Sequence, residues 1–373
     1  MGIMRKRALI FAMAFCLLAG TLFGCGSSDG NETALTVGDE TATADLANFY
    51  ARYNQAQYET YFGAYLGEDM WNSEAEEGVT YEESVKDSVI ESLENMMLCD
   101  IHKEEYDVSL TEEDQELIEK YAKEFSDSNS LEAKDLVSGD DETVTRTMEL
   151  MTVYDKMLDA IEAGADTKVS DDEAAQKRMR YVFFETTTTD EDGNTEEMSD
   201  EEKDKVKEEA QKFHDRVKKG ADFKETAENM GLESATATFD SEGEDPDAAV
   251  VEVADQLKKN EVTDVIMTED GFYVAKVTSM KDKDATKEKK EEIVEERKEE
   301  LFETTVDGWR EETTIEVNNS VWDKISFKDL SVAMYEDESE DYADPIETDD
   351  VAEARESGDD DEEIVIEEDS EEK

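Results

Sequence analysis

RMRYVFFE, residues 178–185, is the stretch on which the fold interpretation depends. It gathers Val182, Phe183 and Phe184 into one run between two polar stretches, SDDEAAQK and TTTTDEDGNTEE. A short apolar run rich in aromatic and β-branched residues, with polar segments on both sides, predicts a buried strand. We therefore expect residues 178–185 to open a small domain in an otherwise very hydrophilic chain.

The residues that follow predict a compact α+β domain spanning residues 168–282. Two helices come next, one capped by Ser199 and the other by Asp222. SATATF (residues 234–239) alternates like a strand, and Asp247 caps a further helix. DVIMT and FYVAKVTS then form two runs joined by a Glu-Asp-Gly turn, which is typical of a hairpin. The order strand, helix, helix, strand, helix, hairpin indicates an antiparallel sheet wrapped by helices.

Residues 34–165 predict a mainly helical domain. Thr43 or Asp45 begins a helix whose apolar residues recur at three- and four-residue spacing: Leu46, Phe49, Tyr50, Tyr53, Tyr58, Tyr61, Phe62 and Tyr65. This aromatic stripe is either a core or a surface that binds client proteins, and its periodicity favours a core. Three further helices are predicted at about residues 81–105, 111–125 and 141–161.

The C-terminal part contains two different kinds of sequence. Residues 283–330 predict a highly charged helix followed by a short strand, TTIEV, and a terminal element. Residues 335–373 contain 21 acidic and two basic residues, a net charge of −19. Such a segment buries too little apolar surface to fold, and we expect it to be disordered.

The charge of the whole chain disfavours two classes of binding partner. With 105 acidic against 38 basic residues, the formal net charge is −67 at pH 7. Nucleic acid is disfavoured as a partner because its binding depends on Lys and Arg displacing counterions from phosphates. Electrostatic docking on anionic lipid is disfavoured because the protein and the lipid surface are both negatively charged.

The N-terminus has the pattern of an export signal. Three basic residues at 5–7 precede an apolar run at residues 8–22, which is too short for a comfortable bilayer span. Leu-Phe-Gly-Cys at its end resembles a bacterial lipobox, so we expect residues 1–24 to be removed and Cys25 to be lipidated. Residues 25–33 would then be a linker, and the protein would sit on the outer face of the cell membrane. An ordinary cleaved signal remains the alternative.

Cysteine and histidine usage favours neither a disulfide nor a metal site. If Cys16 leaves with the signal and Cys25 carries lipid, Cys99 is the single cysteine left and no intramolecular disulfide can form. Cys99 and His102 have the spacing of two metal ligands on a helix, but a closed zinc site needs four ligands. We therefore interpret Cys99 as a buried thiol and expect neither a metal nor a cofactor.

Three phrases in the α+β segment resemble a parvulin-type peptidyl-prolyl isomerase domain: MRYVFF, KKGADFKETAENMG and DQLKKNEVTDVIMTEDGFYVAKV. In that family they correspond to the opening strand, a G-x-D-F join between helices, and the closing hairpin. The flanking sequences are similar to those of PrsA/SurA-like extracytoplasmic foldases, in which the isomerase domain is inserted in a helical chaperone domain. The resemblance covers about residues 34–327, and Cys25 extends it to the lipoproteins of this group.

This chain departs from the family at its active-site positions. Active members usually carry a histidine on the opening strand and another on the closing strand, where this sequence has Tyr181 and Tyr273. The family's Gly-Gly-Asp-Leu-Gly turn is also missing from MGLESATATF. By the resemblance, the two tyrosines would occupy the catalytic positions, and Phe183, Met267 and Phe272 would line the substrate slot.

The resemblance implies a folding factor for exported polypeptides, with unfolded or partly folded chains as partners. Two alternatives stay open: a holdase that binds clients without isomerising proline, and a solute-binding or structural surface lipoprotein. The lack of repeated βαβ units counts against solute binding. The number of copies in the functional assembly does not follow from the sequence.

Overall fold

The structure is a computed structural model that describes residues 15–18, 30–67, 69–189, 195–328 and 330–334. Cys25, most of the predicted signal peptide and the acidic segment 335–373 lie outside the described residues. Within the described ranges, no helix is long and apolar enough to cross a bilayer.

The N-terminal part is mainly helical, as predicted. Its strands are β1 (Phe15–Leu18), β2 (Thr33–Val37), β3 (Glu40–Thr43), β4 (Glu74–Glu76) and β5 (Val79–Thr80). Its helices are α1 (Ala44–Leu66), α2 (Tyr81–His102), α3 (Glu112–Ser128), α4 (Leu131–Val137) and α5 (Asp141–Glu162). Thr43 caps α1, and Thr111 with Asp114 forms the predicted capping box of α3.

The middle part contains the predicted α+β elements in the predicted order, and two further short strands pair within the threonine-rich acidic stretch, which the sequence does not predict to be a strand pair. Its strands are β6 (Lys177–Glu185), β7 (Thr187–Thr189), β8 (Thr195–Glu197), β9 (Ala235–Phe239), β10 (Ile266–Met267) and β11 (Gly271–Ser279). Its helices are α6 (Asp200–Lys218), α7 (Phe223–Asn229) and α8 (Ala248–Asp255). The C-terminal part adds α9 (Lys283–Glu312), β12 (Ile315–Val317), α10 (Asn319–Trp322) and β13 (Ser331–Met334).

The two ends of the chain meet in one sheet, in the order β12-β2-β3. The indole Nε1 of Trp322 donates to the carbonyl oxygen of Ala34 at 3.1 Å, and Trp322 is 2% exposed. Phe327 packs against Trp71 in the same core, with ring centroids 4.8 Å apart. The chain therefore leaves the helical unit after α5 and returns to it with α9, whose Phe302 and Val306 lie in the same core, so the α+β unit is an insertion.

β13 lies along α1 and pairs with β1. The backbone N–H of Val332 donates to Glu59 Oε2 at 2.9 Å, and the Val332 side chain is fully buried. On its other edge, β13 forms an antiparallel pair with Phe15–Leu18, four residues of the predicted signal peptide. Cleavage of that signal peptide is a prediction that this pairing does not test.

The α+β unit is built on a four-stranded antiparallel sheet in the order β10-β11-β6-β9. The opening strand β6 and the closing strand β11 lie side by side, as the sequence analysis requires. Helices α6 and α7 pack on one face through Phe213 and Phe223. Helix α8 packs on the other face through Val250 and Val251. The predicted α+β class, with helices around an antiparallel sheet, is confirmed.

The aromatic stripe of α1 is divided between core and surface. Its first members, Leu46, Phe49 and Tyr50, are buried, which agrees with the core interpretation for the N-terminal half of the helix. The last three aromatic side chains are exposed: Tyr61 by 67%, Phe62 by 49% and Tyr65 by 88%. We call Tyr61, Phe62 and Tyr65 the α1 aromatic surface.

Cys99 and His102 face different surroundings although they lie one turn apart on α2. Cys99 is completely buried, and burial, with a smaller effect of the Asp100 charge, raises the pKa of its thiol to about 12. His102 instead stacks on Trp309 with ring centroids 4.3 Å apart, and its Nδ1 lies 2.7 Å from Glu105 Oε1. The geometry fits a buried structural thiol beside a separate aromatic contact.

Candidate functional site

Strand pairing brings Tyr181 and Tyr273 to the same face of the sheet. In the antiparallel register of β6 and β11, Tyr273 lies opposite Phe183, and Ala275 lies opposite Tyr181. Residues directly opposite each other project to the same face, and residues two apart on one strand do so as well. The two tyrosines are therefore diagonal neighbours on the face that α8 partly covers.

The rings of this face pack against one another. Phe183 and Tyr273 stack with centroids 4.6 Å apart and an interplanar angle of 30°. Tyr181 and Tyr273 approach to 5.8 Å at 49°. Among the described residues, no hydrogen bond joins the two phenol hydroxyls, so ring contact is what relates them.

Both tyrosine hydroxyls stay protonated at neutral pH. The pKa of Tyr273 is raised above its usual value of 10.0 mainly by burial, with the charges of Asp247, Tyr181, Asp270 and Asp245 adding to the effect. The pKa of Tyr181 is raised by burial and by the Asp245 charge. Each phenol is therefore available as a neutral hydrogen-bond donor.

Of the three residues predicted to line the slot, Phe183 lies on the tyrosine side of the sheet, whereas Phe272 and Met267 do not. Phe272 precedes Tyr273 on the strand, so its side chain points to the opposite face, where it is 5% exposed in the core under α6 and α7. Met267 pairs with Phe272 in register and is 72% exposed. The expectation that these two residues line the same slot as Phe183 is therefore corrected by the register of the hairpin.

Ile266 lies on the face that Met267 was expected to line. It pairs directly with Tyr273 and is partly buried against the same apolar cluster as Tyr181 and Phe183. The signal for it was present in the sequence, because the Glu-Asp-Gly turn sets the hairpin register. We define the tyrosine face as Tyr181, Phe183, Ile266 and Tyr273.

Two loops that the sequence analysis did not connect with the site carry charges that act on Tyr273. One is the acidic segment DSEGEDPD, residues 240–247, which leads into α8. The other is the hairpin turn, in which the Asp270 carbonyl oxygen accepts from Thr186 N at 3.0 Å. The charges of Asp247, Asp270 and Asp245 add to the effect of burial in raising the pKa of Tyr273. The acidic residues 240–247, directly before the cap of α8, were the feature of the sequence that could have indicated this loop.

The chemistry of the tyrosine face is that of binding and orientation. It offers an apolar surface with two neutral phenol donors and no nucleophile paired with a base. Among the residues the structure describes, no group of three or more His, Cys, Asp or Glu side chains is placed to hold a metal ion.

A family comparison identifies the unit that carries this face. Residues 159–289 match the family described as "PPIC-type PPIASE domain". We refer to this region, which is similar to that family, as the PPIC-type domain. The match includes all four strands of the sheet and the helices α6, α7 and α8 of the PPIC-type domain. It agrees with the resemblance to parvulin-type isomerases drawn from the strand and hairpin sequences.

Solved structures similar to this chain include three PrsA proteins. The foldase PrsA of Streptococcus pneumoniae is 18% identical, with 64% of this chain and 91% of that chain covered and a TM-score of 0.29. For PrsA of Lactococcus lactis the identity is 14%, the coverages are 79% and 99%, and the TM-score is 0.33. PrsA of Bacillus subtilis is 18% identical, with 69% of this chain and 98% of that chain covered and a TM-score of 0.21. A search of curated proteins finds no match.

Proposed function

We propose that the protein is a parvulin-type peptidyl-prolyl cis-trans isomerase and chaperone that acts on exported polypeptides. The observation that carries this proposal is the adjacency of β6 and β11, which places Tyr181, Phe183 and Tyr273 together on a partly open face. The PPIC-type domain match over residues 159–289 supports the same class of activity.

The proposed catalysis lowers a rotational barrier. Rotation about a peptide bond costs about 18–20 kcal/mol because the twisted amide loses its conjugation. A site lowers that cost when it binds the twisted state more tightly than the planar one. The tyrosine face supplies an apolar surface for the proline ring, and it excludes water from the neighbouring carbonyl group.

The tyrosines take the part of hydrogen-bond donors in this proposal. Tyr273 is 8% exposed, its hydroxyl has no hydrogen-bond partner within the described ranges, and its pKa is raised. A neutral phenol donates to the substrate amide without becoming charged. No proton transfer is needed, because isomerisation makes and breaks no covalent bond. Histidine is thus replaceable where its role is to orient rather than to titrate.

An exchange experiment tests the isomerase proposal. NMR exchange spectroscopy on a short Ala-Pro peptide should show faster cis-trans interconversion with the full chain than without it. Phe183→Ala should reduce that acceleration, because it removes the ring that stacks on Tyr273. Leu131→Ser is the matched control, since Leu131 is 77% exposed in the helical unit. Equal exchange rates with and without the protein would refute catalysis.

A second candidate function is a holdase that binds clients without isomerising proline. The α1 aromatic surface favours it, because three neighbouring exposed aromatic side chains offer apolar area together with hydrogen-bonding hydroxyls. Between Arg52 and Lys86 the chain has no basic residue, so acidic groups keep this region hydrated. Client binding in the helical unit and isomerisation in the PPIC-type domain are compatible.

An aggregation assay separates the two functions. The variant Tyr61→Ser/Phe62→Ser/Tyr65→Ser should lose suppression of aggregation of a denatured test protein and should keep any isomerase activity. The control variant Leu117→Ser/Leu131→Ser removes exposed apolar side chains elsewhere in the helical unit. Suppression should persist in Tyr181→Phe/Tyr273→Phe. If the triple variant suppresses aggregation as well as the wild type, the surface has no such role.

The proposal also includes where in the cell the protein acts. The lipobox-like sequence around Cys25 supports a lipid anchor that holds the protein on the outer face of the cell membrane. In cells grown with an alkyne fatty acid, the protein should become labelled and sediment with membranes. Cys25→Ala should abolish labelling and release the protein, whereas Cys99→Ala should change neither. Labelling that survives Cys25→Ala would exclude this anchor.

A further inference from the structure

One side of β13 is covered by a segment that the protein loses if its predicted signal peptide is removed. β13 pairs there with β1 in antiparallel register, and β1 lies within residues 1–24. Among the described residues, β13 pairs with no other strand. Removal of the signal peptide would therefore leave this side of β13 without a strand partner.

Helix α1 holds β13 from the other side. The backbone N–H of Val332 donates to Glu59 Oε2 at 2.9 Å, and the backbone N–H of Met334 donates to Thr60 Oγ1 at 3.0 Å. The Val332 side chain is fully buried as well. These contacts do not involve β1, so we expect β13 to stay on α1 when β1 is gone.

The backbone groups of Ser331 and Ala333 belong to the side that β1 covers. Successive residues of a strand direct their N–H and C=O groups to opposite edges, and the Val332 N–H is directed to α1. In the register, Ala333 lies opposite Cys16 and Ser331 lies opposite Leu18. We call this side of β13 the β13 edge. Without β1 its polar backbone groups are a template for pairing with another chain.

The same register defines the side chains that suit a strand at this edge. Val332 lies in an apolar cluster with Phe49, Ile118 and Met148, which come from α1, α3 and α5, and Met334 packs against that cluster. Residues directly opposite each other in a strand pair project to the same face, and the next residue along projects to the other. An added strand therefore needs an apolar side chain at every second position.

We propose that the β13 edge of the mature protein binds extended client segments as an added antiparallel strand, in the place that β1 occupies. Such a segment carries apolar residues at alternate positions and no proline where its amides meet Ser331 and Ala333. A peptide segment of this kind already takes the place in the structure, since β1 is the apolar run FCLL. The inference rests on the chaperone part of the proposed function and on signal-peptide removal, and it specifies how a client is held.

A peptide titration tests the proposal. The labelled peptide Lys-Thr-Val-Thr-Val-Thr-Lys is added to the chain that begins at Cys25 and to the full chain. Fluorescence anisotropy should show at least about tenfold tighter binding to the chain that begins at Cys25, because β1 competes for the edge in the full chain. Hydrogen exchange of the Ala333 amide should slow in the complex, whereas the Val332 amide already donates to Glu59 and should change little. Equal binding to the two chains would overturn the proposal.

Methylation of alternate peptide amides separates strand addition from simple apolar adsorption. In the proposed register the Thr amides meet Ser331 and Ala333, so N-methylation of the Thr residues should weaken binding at least about tenfold. The Val amides point away from the edge, and their N-methylation should weaken binding by no more than about threefold. Equal binding of the two methylated peptides would overturn strand addition.

A pair of protein variants provides the matched comparison. Ala333→Pro removes the N–H that faces the edge and should abolish peptide binding, while the N–H groups that bond to α1 stay in place. Ala333→Ser changes the side chain and keeps the N–H, so it should bind like the wild type. Urea unfolding establishes that both variants are folded. If Ala333→Pro does not fold, the two methylated peptides decide the question with the unaltered protein.

The outcomes for the edge and for the chaperone function are distinct. Peptide binding that protects the Ala333 amide, without suppression of aggregation, would support the edge and refute the chaperone function. Suppression of aggregation by a chain that does not bind the peptide would overturn the edge proposal and leave the chaperone function standing. If the chain that begins at Cys25 dimerises through β13 and the peptide does not displace the second copy, the proposal is overturned as well.

Discussion

Tyr181 and Tyr273 stand where the parvulin resemblance implies histidines, and their surroundings explain what such a replacement can preserve. Each ring packs in the sheet through aromatic contacts, and each hydroxyl is neutral because burial raises its pKa. Neither residue makes a described hydrogen bond through its hydroxyl. The ring and the hydroxyl of each tyrosine are therefore separable by substitution with phenylalanine.

At this scale we predict an isomerisation rate that does not vary with pH between about 6 and 9, because no group on the tyrosine face titrates there. The raised pKa values keep both phenols protonated throughout that interval. Tyr273→His should introduce a rate change between about pH 5.5 and 7.5, where imidazole titrates. Exchange rates measured across the pH range check this. A wild-type inflection near about pH 6.5 would contradict it.

At the scale of elements, the β10-β11 hairpin depends on a close approach at Gly271. A Cβ atom at this position would lie 2.3 Å from the Phe184 carbonyl oxygen and 2.8 Å from Phe183 Cε2. Neither neighbour can move freely, because β6 is the central partner of β11 and Phe183 stacks on Tyr273. Glycine is required at this position because it has no side chain, and not because the backbone adopts an unusual angle.

We predict that Gly271→Ala destabilises the PPIC-type domain by about 2–3 kcal/mol through overpacking. Gly308→Ala is the control, since a Cβ there meets nothing within 4 Å and the position is helical. It should be neutral or stabilise the chain by up to about 1 kcal/mol. Urea unfolding with hydrogen exchange of β6 and β11 amides measures both. Equal effects of the two changes would contradict the close-contact account.

A second element-scale contact joins α2 to the returning C-terminal segment. Glu82 is 8% exposed, and its Oε1 accepts from the backbone N–H of Phe327 at 2.7 Å while Oε2 lies 2.9 Å from Lys328 Nζ. Burial alone would raise the pKa of this carboxyl. The hydrogen bonds from Lys328 and Phe327 outweigh it, so the pKa is lowered.

Because the folded-state pKa of Glu82 is below its unfolded value, its stabilising contribution is present above about pH 4.5 and is lost as the pH falls further. We predict that Glu82→Gln costs about 1–2 kcal/mol at pH 7 and weakens the loss of stability between about pH 5 and 3. Urea unfolding at several pH values checks the difference. Glu91→Gln is the control, since Glu91 is exposed on the same helix. A stability curve for Glu82→Gln that runs parallel to the wild-type curve would refute the assignment.

At the scale of the whole molecule, the helical unit is assembled from both ends of the chain. β12 pairs with β2, and α10 with the following residues places Trp322 and Phe327 in the core formed by α1 and α2. Arg310 on α9 also pairs with Glu94 on α2. The PPIC-type domain has its own apolar clusters on the two faces of its sheet.

Truncation distinguishes the two units. A chain that stops after Glu312 should fail to fold its helical unit, since it lacks β12, Trp322 and Phe327, and the PPIC-type domain should keep its native NMR spectrum. A chain that stops after Met334 removes the acidic segment alone and should unfold like the full chain. Circular dichroism and denaturant titration compare the two. A stable helical unit in the shorter chain would contradict the two-ended assembly.

Sequence reasoning predicted the elements well because local signals dominate them. Caps at Thr43 and Thr111, the turn before Gly271 and the period of the α1 stripe each act within a few residues. It placed Phe272 on the wrong face of the sheet. Side chains alternate between the two faces along a strand, and the run FYV has no polar residue that would indicate which face is which. It also missed the acidic loops, whose charges raise the pKa of Tyr273.

Local sequence patterns were enough to predict that this chain alternates helical and α+β segments, carries an acidic excess and opens its inserted domain at residues 178–185. Those properties follow from composition and from interactions between near neighbours in the chain. The folded structure was needed to establish that Ile266 rather than Met267 joins the tyrosine face and that the α1 aromatic surface is exposed. Register and burial depend on what packs against an element, and that partner is remote in sequence.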